Sequence, residues 1–125
     1  MKYINTKNAP AAIGPYSQAI IANGFVFCAG QIGIDPETGN LVEGLENQTK
    51  QVIKNLQAVL KAAGSDLTKV AKTTIFLKDI NDFAKVNEIY GSFFTNHKPA
   101  RGTIGVANLP KGALIEIEAI AVLQK

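Results

Sequence analysis

Alternation of apolar side chains near the carboxyl end constrains the fold more than any other feature of this sequence. The stretch PARGTIGVANLPKGALIEIEAIAVL, residues 99–123, predicts two β-strands, Arg101–Ala107 and Ala113–Leu123, joined by a loop of turn-forming residues. Side chains alternate between the two faces of a strand. One face of the second strand is wholly apolar and is predicted to be core; it consists of Ile115, Ile117, Ala119 and Ala121.

The opposite face of that second strand carries two carboxylates, Glu116 and Glu118, among aliphatic side chains. A strand that simply faces solvent does not need this mixture. In the preceding strand Arg101 and Thr103 share a face, and Arg101 is the only arginine in a chain with twelve lysines. We expect its planar guanidinium, which binds carboxylates through two parallel bonds, to lie near the carboxylates on adjacent strands.

Length and composition indicate a single globular domain over residues 1–125. The chain is 46% hydrophobic and 18% charged, which argues against disorder. Its net charge of +3 comes from scattered lysines, so a nucleic-acid partner is not expected. Cys28 is the single cysteine and no stretch reads as a signal peptide or a membrane span, so we expect a cytoplasmic protein without membrane association.

Turn signals predict a β-hairpin in the first quarter of the chain. Two apolar runs, Gln18–Ala22 and Phe25–Gly30, flank Asn23-Gly24, a dipeptide that favours the positive φ angles of a type I′ turn. Met1–Ile4 is predicted to be a short strand and Asp35–Gly39 a second turn.

Two segments have helical periodicity. Apolar residues repeat at helical spacing over residues 45–63, and Gly64 is a suitable residue to end that helix. After a predicted strand, Val70–Leu77, Asn81 is a plausible N-cap of a second helix that ends near Lys98. One face of this second helix is predicted to carry Phe83, Val86, Asn87, Tyr90, Phe93 and Phe94.

This order of elements predicts an α+β sandwich, a mixed sheet with two helices on one face. The other face of the last strand, and that of Val26, Cys28 and their neighbours, is also expected to be apolar. A sheet covered on one side would then expose a large apolar patch. Self-association through that patch is expected, and the protein is predicted to be a homo-oligomer.

Several motifs together closely resemble the Rid family, the YjgF-type reactive-intermediate deaminases, over essentially the whole chain. The motifs are GPYSQA (Gly14–Ala19), AGQI (Ala29–Ile32), KTTIFLKDINDF (Lys72–Phe83), PAR (Pro99–Arg101) and LPKGALIEIEAIAV (Leu109–Val122). The resemblance implies a chorismate-mutase-like α+β fold assembled as a homotrimer with ligand sites between subunits. It also implies hydrolysis of reactive enamines and imines, such as 2-aminoacrylate and 2-iminobutanoate, to 2-oxo acids and ammonia. These substrates are released by pyridoxal-phosphate dehydratases, and the deaminase itself needs no metal or organic cofactor.

The resemblance also implies roles for individual residues. The family's carboxylate-binding arginine corresponds to Arg101, its strand glutamate to Glu116, its loop tyrosine to Tyr16, and the backbone that lines the pocket to Gly30. There are two departures: Ala29 and Thr103 stand where the family often has serine and cysteine. Thr103 shares the strand face of Arg101 and is a further candidate for substrate binding.

Each of these residues also has a purely structural interpretation. Arg101 would then pair with Glu116 or Glu118 in a subunit contact, both glutamates would be solvated, Tyr16 would pack on the sheet, and Thr103 would be an ordinary strand residue. If the sites are functional, Arg101 holds the substrate carboxylate and Glu116, partly buried, activates water or transfers a proton.

Two alternative functions are compatible with the same residues. The first is a non-catalytic module that binds a small carboxylate in the same cleft. The second is an endoribonuclease, an activity attributed to some proteins that this chain resembles. A nucleophilic Cys28 with His97 as its base is rejected, because Cys28 lies in the apolar run FVFCA and nothing orients His97 towards it. One histidine and one cysteine also make a transition-metal site improbable.

Overall fold

The computed structural model describes residues 1–123, which form six strands and two α-helices. In chain order these are β1 (Lys2–Ile4), β2 (Ala19–Ala22), β3 (Phe25–Gln31), α1 (Leu45–Ala62), β4 (Val70–Leu77), α2 (Phe83–Phe93), β5 (Ala100–Gly105) and β6 (Ile115–Val122). All strands belong to one sheet, in the order β1-β2-β3-β6-β4-β5. The β4–β5 pair is parallel and the other neighbours are antiparallel, so the predicted mixed α+β sheet is confirmed.

The hairpin of β2 and β3 forms where the sequence predicts it. Ala22 pairs with Phe25 across the turn, and both turn residues have positive φ, 51° at Asn23 and 80° at Gly24. Asparagine and glycine tolerate this left-handed backbone better than other residues do. The turn therefore sets the register of the two strands.

Helix α1 packs an apolar stripe against the sheet. Val52, Leu56 and Val59 are buried together with the inner face of β6, where Ile115 and Ile117 are fully inaccessible. The helix ends at Ala62 with Ala63 as its C-cap, and the next residue, Gly64, has a φ of 85°. Both the core face of β6 and the glycine after α1 are confirmed.

Helix α2 departs from the prediction at both ends. Asn81 is not its N-cap, because the Asp79 carboxylate accepts the Asn81 N–H and starts a 3-10 turn, Ile80–Asp82, from which α2 continues. The helix ends at Phe93, with Phe94 as its C-cap, rather than near Lys98.

The strands near the carboxyl end are shorter than predicted. β5 ends at Gly105 instead of Ala107, and β6 begins at Ile115 instead of Ala113. A 3-10 turn, Pro110–Gly112, separates them, and Lys111 within it has a φ of 56°.

Both helices lie on one face of the sheet, and the other face is open in the single chain. The expectation that Val26 and Cys28 lie on the open face is wrong, since both are buried in the core beneath the helices. Their neighbours Phe25 and Phe27 carry the apolar surface instead, 41% and 44% exposed, with ring centroids 6.2 Å apart. None of the helices within residues 1–123 has the length and apolar character needed to span a membrane.

Candidate active site

The end of β3 is distorted next to the glutamate of β6. The pairing of β3 with β6 shifts register between Cys28 and Gln31, as at a β-bulge. Gly30 lies in this segment, and a Cβ built on it would overlap the Oε2 of Glu116 and lie 2.9 Å from its Cδ. Because glycine has no Cβ, the Glu116 carboxyl group can lie directly against the β3 backbone.

Glu116 and Glu118 have different environments although they are on the same strand face. Glu116 is half-buried and Glu118 is exposed. Burial raises the pKa of Glu116 above its ordinary value, and the nearby negative charge of Glu118 adds to this shift. A carboxyl group with a raised pKa is suited to proton transfer near neutral pH.

A cavity of about 440 Å³ lies beside this carboxyl group. Three parts of the chain form it: the loop between β1 and β2, the end of β3 with the residues that follow, and the segment from the β5–β6 loop into β6. Its lining is mainly apolar and comprises Pro10, Ala11, Ile13, Tyr16, Gln18, Gly30, Gln31, Ile32, Ile34, Pro110, Lys111 and Glu116.

The buried Gln18 side chain anchors the loop that carries Tyr16. Its Nε2 donates to the carbonyl oxygens of Thr6 and Pro10 at 3.0 and 2.8 Å, and its Oε1 accepts from the Thr6 N–H at 2.7 Å. The Tyr16 hydroxyl accepts from the Ile13 N–H at 3.4 Å, and the Tyr16 side chain is 55% exposed. The base of the loop is thus held firmly while its aromatic tip remains accessible at the mouth of the cavity.

Helix α1 supports the opposite wall through buried polar side chains. The Asn55 Nδ2 donates to the carbonyl oxygens of Ile32 and Ile34 at 3.1 and 2.9 Å. The Gln48 Oε1 accepts from the Leu114 N–H at 2.9 Å, just before β6. These bonds tie the segment that follows β3 and the start of β6 to helix α1.

Arg101 lies on the helix side of the sheet, opposite to the face that carries Glu116. It pairs with Thr73 of β4, a buried residue on the helix side, whereas Glu116 is on the open face. The expectation that Arg101 lies near carboxylates on an adjacent strand is wrong, because β4 separates β5 from β6. Arg101 makes no ion pair with any group in residues 1–123. Its guanidinium lies over two rings of α2, 5.4 Å from the centroid of Phe83 and 5.0 Å from that of Tyr90.

Two buried polar atoms near this arginine have no partner within residues 1–123. They are the Oγ1 of Thr103, two residues along β5 from Arg101, and the Oδ1 of Asn87 on α2. Asn87 lies four residues after Phe83 and three before Tyr90, so it shares their helix face. Buried polar atoms are nearly always satisfied, which suggests that a group from outside the chain reaches them.

The structure thus brings together three of the five predicted site residues. Tyr16, Gly30 and Glu116 line one cavity, whereas Arg101 and Thr103 do not line it and lie on the helix side of the sheet. Sequence reasoning did not single out Gln18, Lys111 or Asn87 as site residues. For Asn87 a signal existed, since it is a polar residue in the apolar stripe of α2; the anchoring role of Gln18 depends on contacts that no local pattern reveals.

Cys28 and His97 are not among the residues that line this cavity. Cys28 is 7% exposed, and burial raises its pKa to about 12, so the thiol is protonated at neutral pH. The His97 ring nitrogen Nε2 is hydrogen-bonded to the carbonyl of Val70. Within residues 1–123 no three His, Cys, Asp or Glu side chains are grouped in a way that could hold a metal ion.

A mixed sheet covered by helices on one face, with a mainly apolar cavity that contains the Glu116 carboxyl group, places the chain in a class of small α+β proteins. The chain belongs to the family described as Endoribonuclease L-PSP, also called the YjgF or Rid family, whose profile matches residues 6–123.

Some similar proteins are named for an activity and others only for a family. A 2-iminobutanoate/2-iminopropanoate deaminase of Rattus norvegicus is 56% identical over 97% of this chain and 89% of its own length. A RutC family protein of Pyrococcus horikoshii is 58% identical over 94% of both chains. The crystal structure of E. coli TdcF with bound serine has a TM-score of 0.95 at 42% identity, covering 99% of this chain and 100% of TdcF.

Proposed function

We propose that this protein is a 2-iminobutanoate/2-iminopropanoate deaminase that hydrolyses reactive imines and enamines to 2-oxo acids and ammonia. The observation that carries the proposal is the half-buried Glu116 carboxyl group, with a raised pKa, at the wall of a cavity large enough for a small imino acid. The names of relatives at 52–56% identity support the same reaction. Such imines arise as products of pyridoxal-phosphate dehydratases.

Hydrolysis of an imino acid has three requirements. The substrate carboxylate must be held, the imine nitrogen must receive a proton, and water must attack the C=N carbon. Glu116 takes a proton from the attacking water and returns one to the departing ammonia, which is typically worth about 10²–10⁴ in rate. Addition of one water to the imine gives the 2-oxo acid and ammonia, so the reaction consumes no cofactor.

We further propose that the site is completed by a second copy of the chain in a homotrimer. In one chain Arg101 and Glu116 project from opposite faces of the sheet, so they cannot both contact a ligand of about seven heavy atoms. A second chain seated on the open face would cover Phe25 and Phe27 and bring its own Arg101 to the cavity. The unpaired fork of Arg101 and the unsatisfied Thr103 Oγ1 support a contact of this kind.

Tyr16 and Gly30 complete the proposed substrate site. The accessible Tyr16 ring at the cavity mouth limits the size of the substrate or donates its hydroxyl to it. The Gly30 backbone lies against Glu116, so it borders the point where water and imine carbon meet. We place the protein in the cytoplasm, because a reducing compartment suits a chain with one thiol.

A binding module without catalysis is the second candidate. The bound serine in TdcF, a relative by fold and sequence, supports recognition of a small amino acid by this kind of protein. The residues around the cavity would serve binding and hydrolysis equally. An endoribonuclease, as the family description reads, is less well supported, because the lysines are scattered and the cavity is mainly apolar.

A coupled assay tests the proposal. Threonine dehydratase generates 2-iminobutanoate in situ, and the rate at which 2-oxobutanoate appears is compared with and without this protein. We expect acceleration by the wild type, loss of most of it in Arg101→Ala, and slower turnover with little change in KM in Glu116→Gln. Lys61→Ala, on the exposed side of α1, is the matched control and should behave as wild type.

Two results would contradict the proposal. If the wild type binds serine or 2-oxobutanoate but does not accelerate imine loss, the protein is the binding module. If Arg101→Ala hydrolyses at the wild-type rate, the proposed role of the guanidinium is wrong.

A further inference from the structure

Within its own chain Arg101 is held by aromatic rings rather than by a carboxylate. No carboxylate in residues 1–123 pairs with it, and its guanidinium instead lies over the faces of the Phe83 and Tyr90 rings. Both rings belong to α2, on the helix face that also carries Asn87. We call Phe83 and Tyr90 the aromatic clamp.

An aromatic clamp has a different effect from an ion pair. A carboxylate partner would neutralise the guanidinium and use two of its N–H donors. Ring faces attract the cation through their quadrupole and leave the N–H groups in the guanidinium plane free. The arginine is therefore held in position while its charge and its donor fork remain available to an anionic ligand.

Tyr90 of the aromatic clamp is itself held in position by Thr73 and Phe94. The hydroxyl of Tyr90 is hydrogen-bonded to the Oγ1 of Thr73 at 2.7 Å, and its ring packs on Phe94 with centroids 4.6 Å apart. Thr73 is buried on β4 directly opposite Arg101 on β5. Contacts therefore run from Thr73 on β4 through the Tyr90 ring to the Arg101 guanidinium on β5. They fix the position of the Tyr90 ring relative to the paired strands β4 and β5.

We infer that Phe83 and Tyr90 are positioning residues that hold the Arg101 fork unpaired and correctly oriented for the carboxylate of the substrate. The inference rests on the proposed function only for the identity of that carboxylate. The fork holds the substrate carboxylate in the ground state and in the transition state alike, so a loosened fork should weaken substrate binding more than it slows the chemical step. In this chain the two rings face the guanidinium, so we expect them to act through Arg101.

The first experiment is independent of activity. Because Arg101 is the only arginine, the ¹⁵N spectrum of the assembled protein contains a single Arg Nε–H signal without any assignment step. We expect ring currents to displace this signal, and its relaxation to report an ordered side chain. Phe83→Leu should move the signal towards the free-arginine position and increase its mobility, and Tyr90→Phe should do so to a smaller extent.

Kinetics provide the second readout, in the coupled 2-iminobutanoate assay. Phe83→Leu is expected to raise KM about fivefold with kcat within about twofold, and Phe83→Tyr, which restores a ring, to recover most of the loss. Phe93→Leu removes a ring from the same helix without touching Arg101 and is the matched control. Phe83 is 40% exposed, so its substitution should leave the fold intact.

The possible outcomes separate the two proposals. An Arg101 signal and a KM that do not change in Phe83→Leu and Tyr90→Phe would overturn the clamp even if the wild type is an active deaminase. A wild type without deaminase activity would overturn the proposed function, while the spectra would still decide whether the rings hold the arginine. Equal losses of KM, kcat and stability in Phe83→Leu and Phe93→Leu would indicate general packing and would also overturn the clamp.

Discussion

At the scale of single residues, the site depends on close approaches rather than on many contacts. Gly30 has no side chain, and this absence lets the Glu116 carboxyl group lie against the backbone of β3. Burial raises the pKa of this carboxyl group, and the nearby charge of Glu118 adds to the shift. We expect Gly30 and Glu116, on different strands, to act as one unit.

Gly30→Ala tests this unit. The added Cβ overlaps the Glu116 carboxyl group, which must rotate away, so we expect kcat in the imine assay to fall about 10²-fold. A double-mutant cycle with Glu116→Gln checks the cause. If Gly30→Ala acts through the Glu116 carboxyl group, it should cost little when it is added to the Glu116→Gln variant; additive losses would show a different mechanism.

The titration of Glu116 gives a second prediction at this scale. Its pKa in the folded chain is above the ordinary value of 4.5, so the folded state keeps a proton that the unfolded chain releases. The stability that this provides is fully present below the unfolded pKa and is lost as the pH rises through the folded pKa. The Glu116→Gln variant lacks this dependence.

We therefore expect the unfolding free energy of the wild type, relative to Glu116→Gln, to decrease as the pH rises above about 4.5. Urea unfolding at a series of pH values and one protein concentration measures this difference. A difference that increases with pH would mean that the Glu116 pKa is lowered, contrary to our interpretation.

At the scale of elements, local signals predict the hairpin turn and the core face of β6, but not the core face of β3. The Asn23-Gly24 turn and the inner face of β6 follow from two-residue and alternating patterns that need no long-range information. The start of α2 does not, because Asp79, Asn81 and Asp82 are all acceptable caps and only the 3-10 turn selects among them. Helix ends are decided by competition between near-equal local options.

The hairpin turn provides a prediction with a matched control. A Cβ at Gly24 would meet no atom within 4 Å, but φ is 80°, so Gly24→Ala should destabilise the protein by about 1 kcal/mol through backbone strain alone. Gly91 in α2 is equally open and has no positive φ, so Gly91→Ala should instead stabilise by about 0.5–1 kcal/mol. Chemical denaturation measures both, and the same sign for both would contradict this account.

At the scale of the whole molecule, the sheet has one open face that carries exposed apolar side chains. Phe25, Phe27, Ile104 and Val122 are each at least 36% exposed, on a sheet whose other face is covered by helices. An apolar surface of this kind usually marks an interface. The proposed homotrimer would cover this face and supply the guanidinium that each cavity lacks.

Phe27→Glu tests the proposed assembly. A charge on the open face should prevent association, so the wild type is expected to have three times the mass of a 13.3 kDa chain in light scattering and the variant to be monomeric. The variant should also lose imine hydrolysis, although Tyr16, Gly30 and Glu116 are intact. Lys61→Glu, on the exposed side of α1, is the control. A monomeric wild type, or an active monomeric variant, would refute the intersubunit site.

The sequence by itself determined which side chains share a face, where the hairpin turns and which residues of β6 and α1 form the core, because these depend on periods of two and 3.6 residues along the chain. Only the tertiary structure decided that β4 lies between β5 and β6, which puts Arg101 and Glu116 on opposite sides of one sheet. It also decided the contact of Gly30 with Glu116 and the rings beneath Arg101. The physical reason is that strand order is chosen by long-range pairing and by the crossover through α2, which leave no local periodicity in the sequence.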